Sequence, residues 1–109
     1  MRNFLTIVIT SLFACSVHAQ GLDAKKAGEL MTKAGCNACH QVEKKVLGPA
    51  YKDVAVKYKA NPKALELLAK KTREGGVGVW GQIPMPPHTK EKISDDDLKQ
   101  LVAWILTLN

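Results

Sequence analysis

Aromatic side chains are scarce in this sequence: two Phe, two Tyr and two Trp, 6% of 109 residues. That supply is thin for a compact core, so something besides side chains has to help fill the interior. Acidic residues are also few, with 10 Asp and Glu against 16 Lys and Arg, which leaves a net charge of +6. The main apolar run, Phe4 to Ala14, is too short to cross a bilayer, which takes about 20 residues. There is no internal repeat, no low-complexity block and no alternating pattern of the kind strands show. The length supports one small domain and excludes a multidomain enzyme with a large internal active site.

What is present begins with a leader. Met1-Arg2-Asn3 gives a short positive start, Phe4 to Ala14 the apolar stretch, and Val17-His18-Ala19 the small residues of a cleavage site. This is the three-part layout of a secretory signal peptide over residues 1–19, with residues 20–109 as the mature domain. Export places that domain in the periplasm, without stable membrane insertion. A rival cut before Cys15 would leave a lipid anchor, because Leu12-Phe13-Ala14-Cys15 loosely resembles a lipobox; bulky Phe13 beside the cut weighs against it. Cleavage after Ala19 removes both Phe residues and Cys15, so the mature aromatics are Tyr51, Tyr58, Trp80 and Trp104.

Gly and Pro punctuation divides the mature chain into short helical pieces. Ala24, Ala27, Leu30, Met31 and Ala34 recur at helical spacing within Leu22 to Ala34, and Gly35 ends the pattern. A loop with Gly48-Pro49 precedes a short helix from Tyr51 to Tyr58. Asn61-Pro62 reads as a helix start, Lys63 to Arg73 propagates it, and Gly75-Gly76 stops it. The stretch from Gly75 to Thr89 is rich in Gly and Pro and reads as irregular loop. Ser94 with Asp97 three residues on forms a capping-box variant, followed by an apolar stripe of Leu98, Leu101, Val102, Ile105 and Leu108. The expected class is all-α, with three to four short helices.

Cys36-Asn37-Ala38-Cys39-His40 carries the chemistry. In an exported chain, Cys-x-x-Cys-His reads as covalent haem attachment. Positions three and four apart on a helical turn share a face, so two thiols and one imidazole can meet a single porphyrin. A thioredoxin-like pair needs a βαβ context that is missing. A zinc site would have to recruit His88 beside Cys36, Cys39 and His40, and a bare disulfide would close too small a loop to stabilise a domain. For the sixth iron ligand, Met31 lies too near Cys36 on the first helix. Met85, framed by Pro84, Pro86 and Pro87, is the expected ligand, with His88 as its competitor. A haem held this way also supplies the apolar mass that the mature aromatics do not.

These residues together resemble the bacterial class I c-type cytochromes, most closely the short cytochrome c-551 type. The markers are Gly35 to His40, Leu47-Gly48-Pro49-Ala50-Tyr51, Val79 to Pro87, and Ala103-Trp104-Ile105-Leu106 near the C-terminus. The resemblance implies a cytochrome c fold around one covalently bound haem c with its iron. It implies a Pro49 carbonyl that accepts from His40, an indole N–H from Trp80 to a haem propionate, and Lys71 near a propionate. It further implies a monomeric carrier of single electrons, not an enzyme, working between respiratory partners such as a bc-type complex and a nitrite reductase or terminal oxidase. Two departures stand out: His88 where relatives often carry Asn, and Met31 where they often use an aromatic residue. Met31, Leu30 and Ala27 are expected to pack against Leu101, Trp104 and Ile105. The spread of lysines suits partners with acidic docking surfaces, and nucleic acid is not an expected partner. The competing reading is a haem-based sensor or peroxidase-like protein with a displaceable Met85.

Overall fold

The computed structural model describes residues 22–109. The leader, its cut after Ala19 and the rival cut at Cys15 lie outside the described residues. Four helices follow in order: α1 Ala24–Ala34, α2 Tyr51–Tyr58, α3 Ala64–Glu74 and α4 Asp95–Ile105, with a 3-10 turn at Cys36–Ala38 after α1. Among the described residues the only extended pairings are two isolated bridges, His40 with Lys45 and Gly76 with Met85.

The termini of the helices follow from a few side chains. α1 starts at Ala24 rather than Leu22, because the Asp23 carboxylate accepts from the Lys26 N–H at 2.7 Å and fixes Asp23 as the cap. Gly35 ends it in the left-handed region, at φ 79°, and turns the chain directly into the cysteine segment. α3 begins two residues later than Asn61-Pro62 suggests. The Asn61 side chain accepts from the Lys63 N–H at 2.9 Å, so it closes a local turn instead of capping the helix. α4 is capped as expected, with Ser94 Oγ accepting from the Asp97 N–H at 3.1 Å, and Asp95, Asp96 and Asp97 face the positive end of its dipole. It stops at Ile105, where the chain passes into turns and the Thr107 hydroxyl donates to the Trp104 carbonyl at 2.6 Å.

α1 and α4 join the two ends of the domain. Ala27, Leu30, Met31 and Ala34 share one core with Leu98, Leu101, Val102 and Ile105, and half-buried Trp104 packs against it. Full burial of a Leu or Ile contributes about 1.5–3 kcal/mol, so this seam helps to stabilise the domain as it ties the two ends together. α2 adds Tyr51, Val54 and Tyr58 to the same core, while α3 fully buries only Ala64 and leaves Leu67 and Leu68 half-covered. Between α2, α3 and α4 the packing opens into a cleft, and the segment from Gly75 to Pro86 forms its outer wall.

Candidate cofactor site

The floor of the cleft is built by the cysteine turn. The Cys39 and His40 N–H groups both donate to the Cys36 carbonyl, at 3.1 and 2.9 Å, which winds Cys36, Cys39 and His40 into one turn. All three line the cleft. Cys36 is buried, and that burial pushes its thiol pKa up, against the opposing pull of a hydrogen bond with Tyr51. Burial likewise lifts the Tyr51 phenol far above its usual range. Both groups are therefore neutral near pH 7.

His40 is fixed by its neighbours. Its Nδ1 lies 2.7 Å from the Pro49 carbonyl oxygen. A carbonyl can only accept, so Nδ1 carries a proton, and in the neutral ring the free lone pair is then on Nε2. The ring stacks on Tyr51 with centroids 5.0 Å apart and planes 20° from parallel. On another side Gly48 approaches so closely that a Cβ there would lie 2.5 Å from His40 Cε1. The hydrogen bond, the ring and the glycine leave the imidazole one orientation.

The opposite wall has a different construction. Gly75, at φ 72° and ψ −173°, ends α3 in a conformation that side chains rarely adopt. Gly76 and Met85 then exchange backbone hydrogen bonds of 3.1 and 2.8 Å. The Met85 backbone sits against Gly75 so tightly that a Cβ on Gly75 would collide with the Met85 carbonyl oxygen and the Pro86–Pro87 backbone. Three residues further, the His88 N–H donates to the Thr72 carbonyl at 3.0 Å. Met85 lines the cleft, and Met31 is buried in the α1–α4 core instead.

Trp80 and Lys71 also line the cleft. Trp80 is tied to α2 through Lys57, whose ammonium lies 5.7 Å from the indole and 5.8 Å from the Tyr58 ring. His88 is the buried polar side chain of the described residues, 6% exposed, and its Nδ1 has no protein partner. From the sequence Gly75 reads only as a helix stop, and the close approach of Gly48 to His40 is visible only in the fold. The sole local signal was glycine beside proline or glycine.

This donor set fits a haem. Two thiols and an imidazole with a free Nε2 share the floor, and a thioether stands on the other wall. Val54, Leu68, Val102 and Ile105 make the interior apolar, while the fold leaves Val77, Val79 and Ile83 of the outer wall uncovered by other side chains. The fold and cleft define a class: a small all-α protein whose helices enclose a flat apolar cofactor with a soft and an imidazole donor at hand.

Comparison with known proteins agrees. The family model described as Cytochrome c matches residues 24–109. Cytochrome c-552 of Nitrosomonas europaea is 50% identical over 96 residues, covering 88% of this chain and 91% of the relative. Cytochrome c-552 of Hydrogenobacter thermophilus is 39% identical over 108 residues, covering 99% of each chain. The crystal structure of wild-type Nitrosomonas europaea cytochrome c552 superposes with a TM-score of 0.69 at 54% identity, covering 75% of this chain and 99% of that one. The chain belongs to the cytochrome c family, as a bacterial class I monohaem c-type cytochrome. Its cofactor is covalently bound haem c with its iron, and it is an electron-transfer protein rather than an enzyme.

Proposed function

We propose that this protein is a periplasmic carrier of single electrons between respiratory redox proteins, exported by residues 1–19 and cut after Ala19. In this reading Cys36 and Cys39 form the two thioethers, His40 and Met85 are the axial ligands, and Trp80 and Lys71 serve the propionates. Partners of the kind expected are a bc-type complex on one side and a nitrite reductase or terminal oxidase on the other.

The carrying observation is the pair of opposed walls: an imidazole locked on the Pro49 carbonyl at 2.7 Å, and a methionine pinned by paired backbone bonds to Gly76. When bound, the haem supplies the one-electron couple. The protein's part is to hold both axial donors in place, which keeps rearrangement small and leaves no position for a substrate. Pro49, by holding the Nδ1 proton, makes His40 a more basic ligand. The soft thioether of Met85 favours the reduced state, as do apolar walls that penalise extra charge. Trp80 offers an indole N–H and Lys71 a cation at the cleft edge, both suited to carboxylates.

Lysines are spread along the sequence, among them exposed Lys25, Lys26, Lys33, Lys44, Lys45, Lys57, Lys59 and Lys70, whereas Asp95, Asp96 and Asp97 gather at one helix start. That distribution supports steering toward an acidic partner surface. Among the described residues no helix is long and apolar enough to cross a membrane.

Three measurements test the reading. A denaturing gel of the mature protein stained for haem must show a covalent band. The absorption band of methionine sulfur bound to ferric iron must be present and must vanish in Met85→Ala. Stopped-flow oxidation by each candidate partner must slow as salt rises. A native protein without the sulfur–iron band would favour the sensor-like or peroxidase-like alternative.

A further inference from the structure

We infer that Arg73 is a positioning residue for the sixth iron ligand, a latch that holds the Met85 segment against the end of α3. This rests on the reading of Met85 as an axial ligand. Arg73 stands in the last turn of α3, with its side chain 20% exposed. Its Nη1 donates to two consecutive carbonyls beyond Met85, those of His88 at 3.2 Å and Thr89 at 3.0 Å. Its Nη2 donates to Asp95 Oδ1 at 2.8 Å, in the first turn of α4. One planar guanidinium thus joins three segments: the end of α3, the stretch after Met85 and the start of α4.

The arrangement matters because of what lies on the other side of Met85. Upstream the segment is held by the Gly76–Met85 pairing, and downstream by the His88 N–H on Thr72 and by Arg73. Without Arg73 the downstream stretch keeps one backbone hydrogen bond, from His88 to Thr72, and the burial of the His88 ring, while its neighbours Pro86, Pro87, Thr89 and Lys90 are exposed. Lysine cannot replace it, since a single ammonium does not span two carbonyls and a carboxylate with fixed geometry. Asp95 keeps the fork in place, and Lys90 at 3.3 Å from its second oxygen shares that charge. Lys71, two residues earlier, lines the cleft itself, so neighbouring cations on α3 serve different ends.

The test uses the ferric holoprotein and imidazole as an external ligand that competes with methionine sulfur. Arg73→Met removes all three hydrogen bonds and is expected to raise the apparent imidazole affinity about tenfold, as if the equivalent of one charge-assisted bond were felt at Met85. Asp95→Asn, which leaves the carbonyl contacts, should raise it by less, and Arg73→Lys should fall between wild type and Arg73→Met. Leu30→Ala in the α1–α4 core is the control for general destabilisation. If Arg73→Met gains no more imidazole affinity than a Leu30→Ala protein of similar unfolding midpoint, the latch is refuted. Should Arg73→Met fail to fold, equal affinities for wild type, Arg73→Lys and Asp95→Asn refute it as well. Met85→Ala separates the two failures. A sulfur–iron band that survives in it removes the ligand assignment and the latch together. A band lost there, with no gain in Arg73→Met, removes the latch alone.

Discussion

The two walls of the cleft hold their donors by opposite means. On the His40 wall the side chain itself is tethered, by a hydrogen bond to Pro49, a stack on Tyr51 and the close approach of Gly48. On the Met85 wall it is the backbone that is fixed, at Gly75, Gly76, Thr72 and Arg73. The difference follows from chemistry. An imidazole has a second nitrogen that a carbonyl can hold, so its orientation can be set directly. A thioether is a weak acceptor on a flexible stem, so a fold can aim it only by fixing its Cα. A local motif therefore suffices to set one donor, while the other needs parts of the chain far apart in sequence.

Substitutions at the two glycines break the comparison most directly. Gly75→Ala combines a left-handed φ with a collision against the Met85 and Pro86 backbone, and is expected to cost about 3 kcal/mol and to weaken the sulfur–iron band. Chemical denaturation of the holoprotein, read beside that band, checks both. Gly48→Ala drives a methyl into the His40 ring, for a loss of about 2 kcal/mol. Its optical signature should be a changed imidazole environment with the sulfur–iron band kept, since the Met85 wall is untouched. A loss of that band in Gly48→Ala would show that the walls are not independent.

A smaller effect is expected from Ser94→Ala, which removes the α4 cap for about 1 kcal/mol. Its thermal midpoint should drop while the sulfur–iron band stays, because the cap serves the frame and neither donor. The smallest effect comes from acid. Hydrogen bonds from Arg73 and then from Lys90 hold the Asp95 carboxyl below its usual range. A lowered folded-state pKa means its contribution is complete above the ordinary Asp value and fades as pH falls through the lowered one. The thermal midpoint of the wild type should therefore fall slightly further than that of Asp95→Asn as pH drops through that acid window.

The sequence and the structure agree best where interactions are local. α2 runs from Tyr51 to Tyr58, as expected after the Gly48-Pro49 loop, and the Ser94 cap and the Gly35 stop lie where the residue types put them. Asn61 misled because the same side chain that caps a helix can also close a turn onto Lys63. The cysteine motif was legible because its residues are neighbours on one turn. Arg73 and Gly75 were not, since their partners at His88, Thr89, Asp95 and Met85 are brought near only by tertiary folding. Nothing in a run such as Lys70-Lys71-Thr72-Arg73 marks which cation faces the cleft and which clamps a distant loop.

The bridge between Gly76 and Met85 carries an evolutionary consequence. Because these two residues pair across the neck of the loop, residues 77–84 form a detour whose ends are held together whatever the detour contains. Its exposed positions Val77, Val79 and Ile83 can be rewritten to suit a new redox partner while the Met85 backbone keeps its address. Specificity for partners and control of the metal can then diverge on separate schedules within a single stretch of chain.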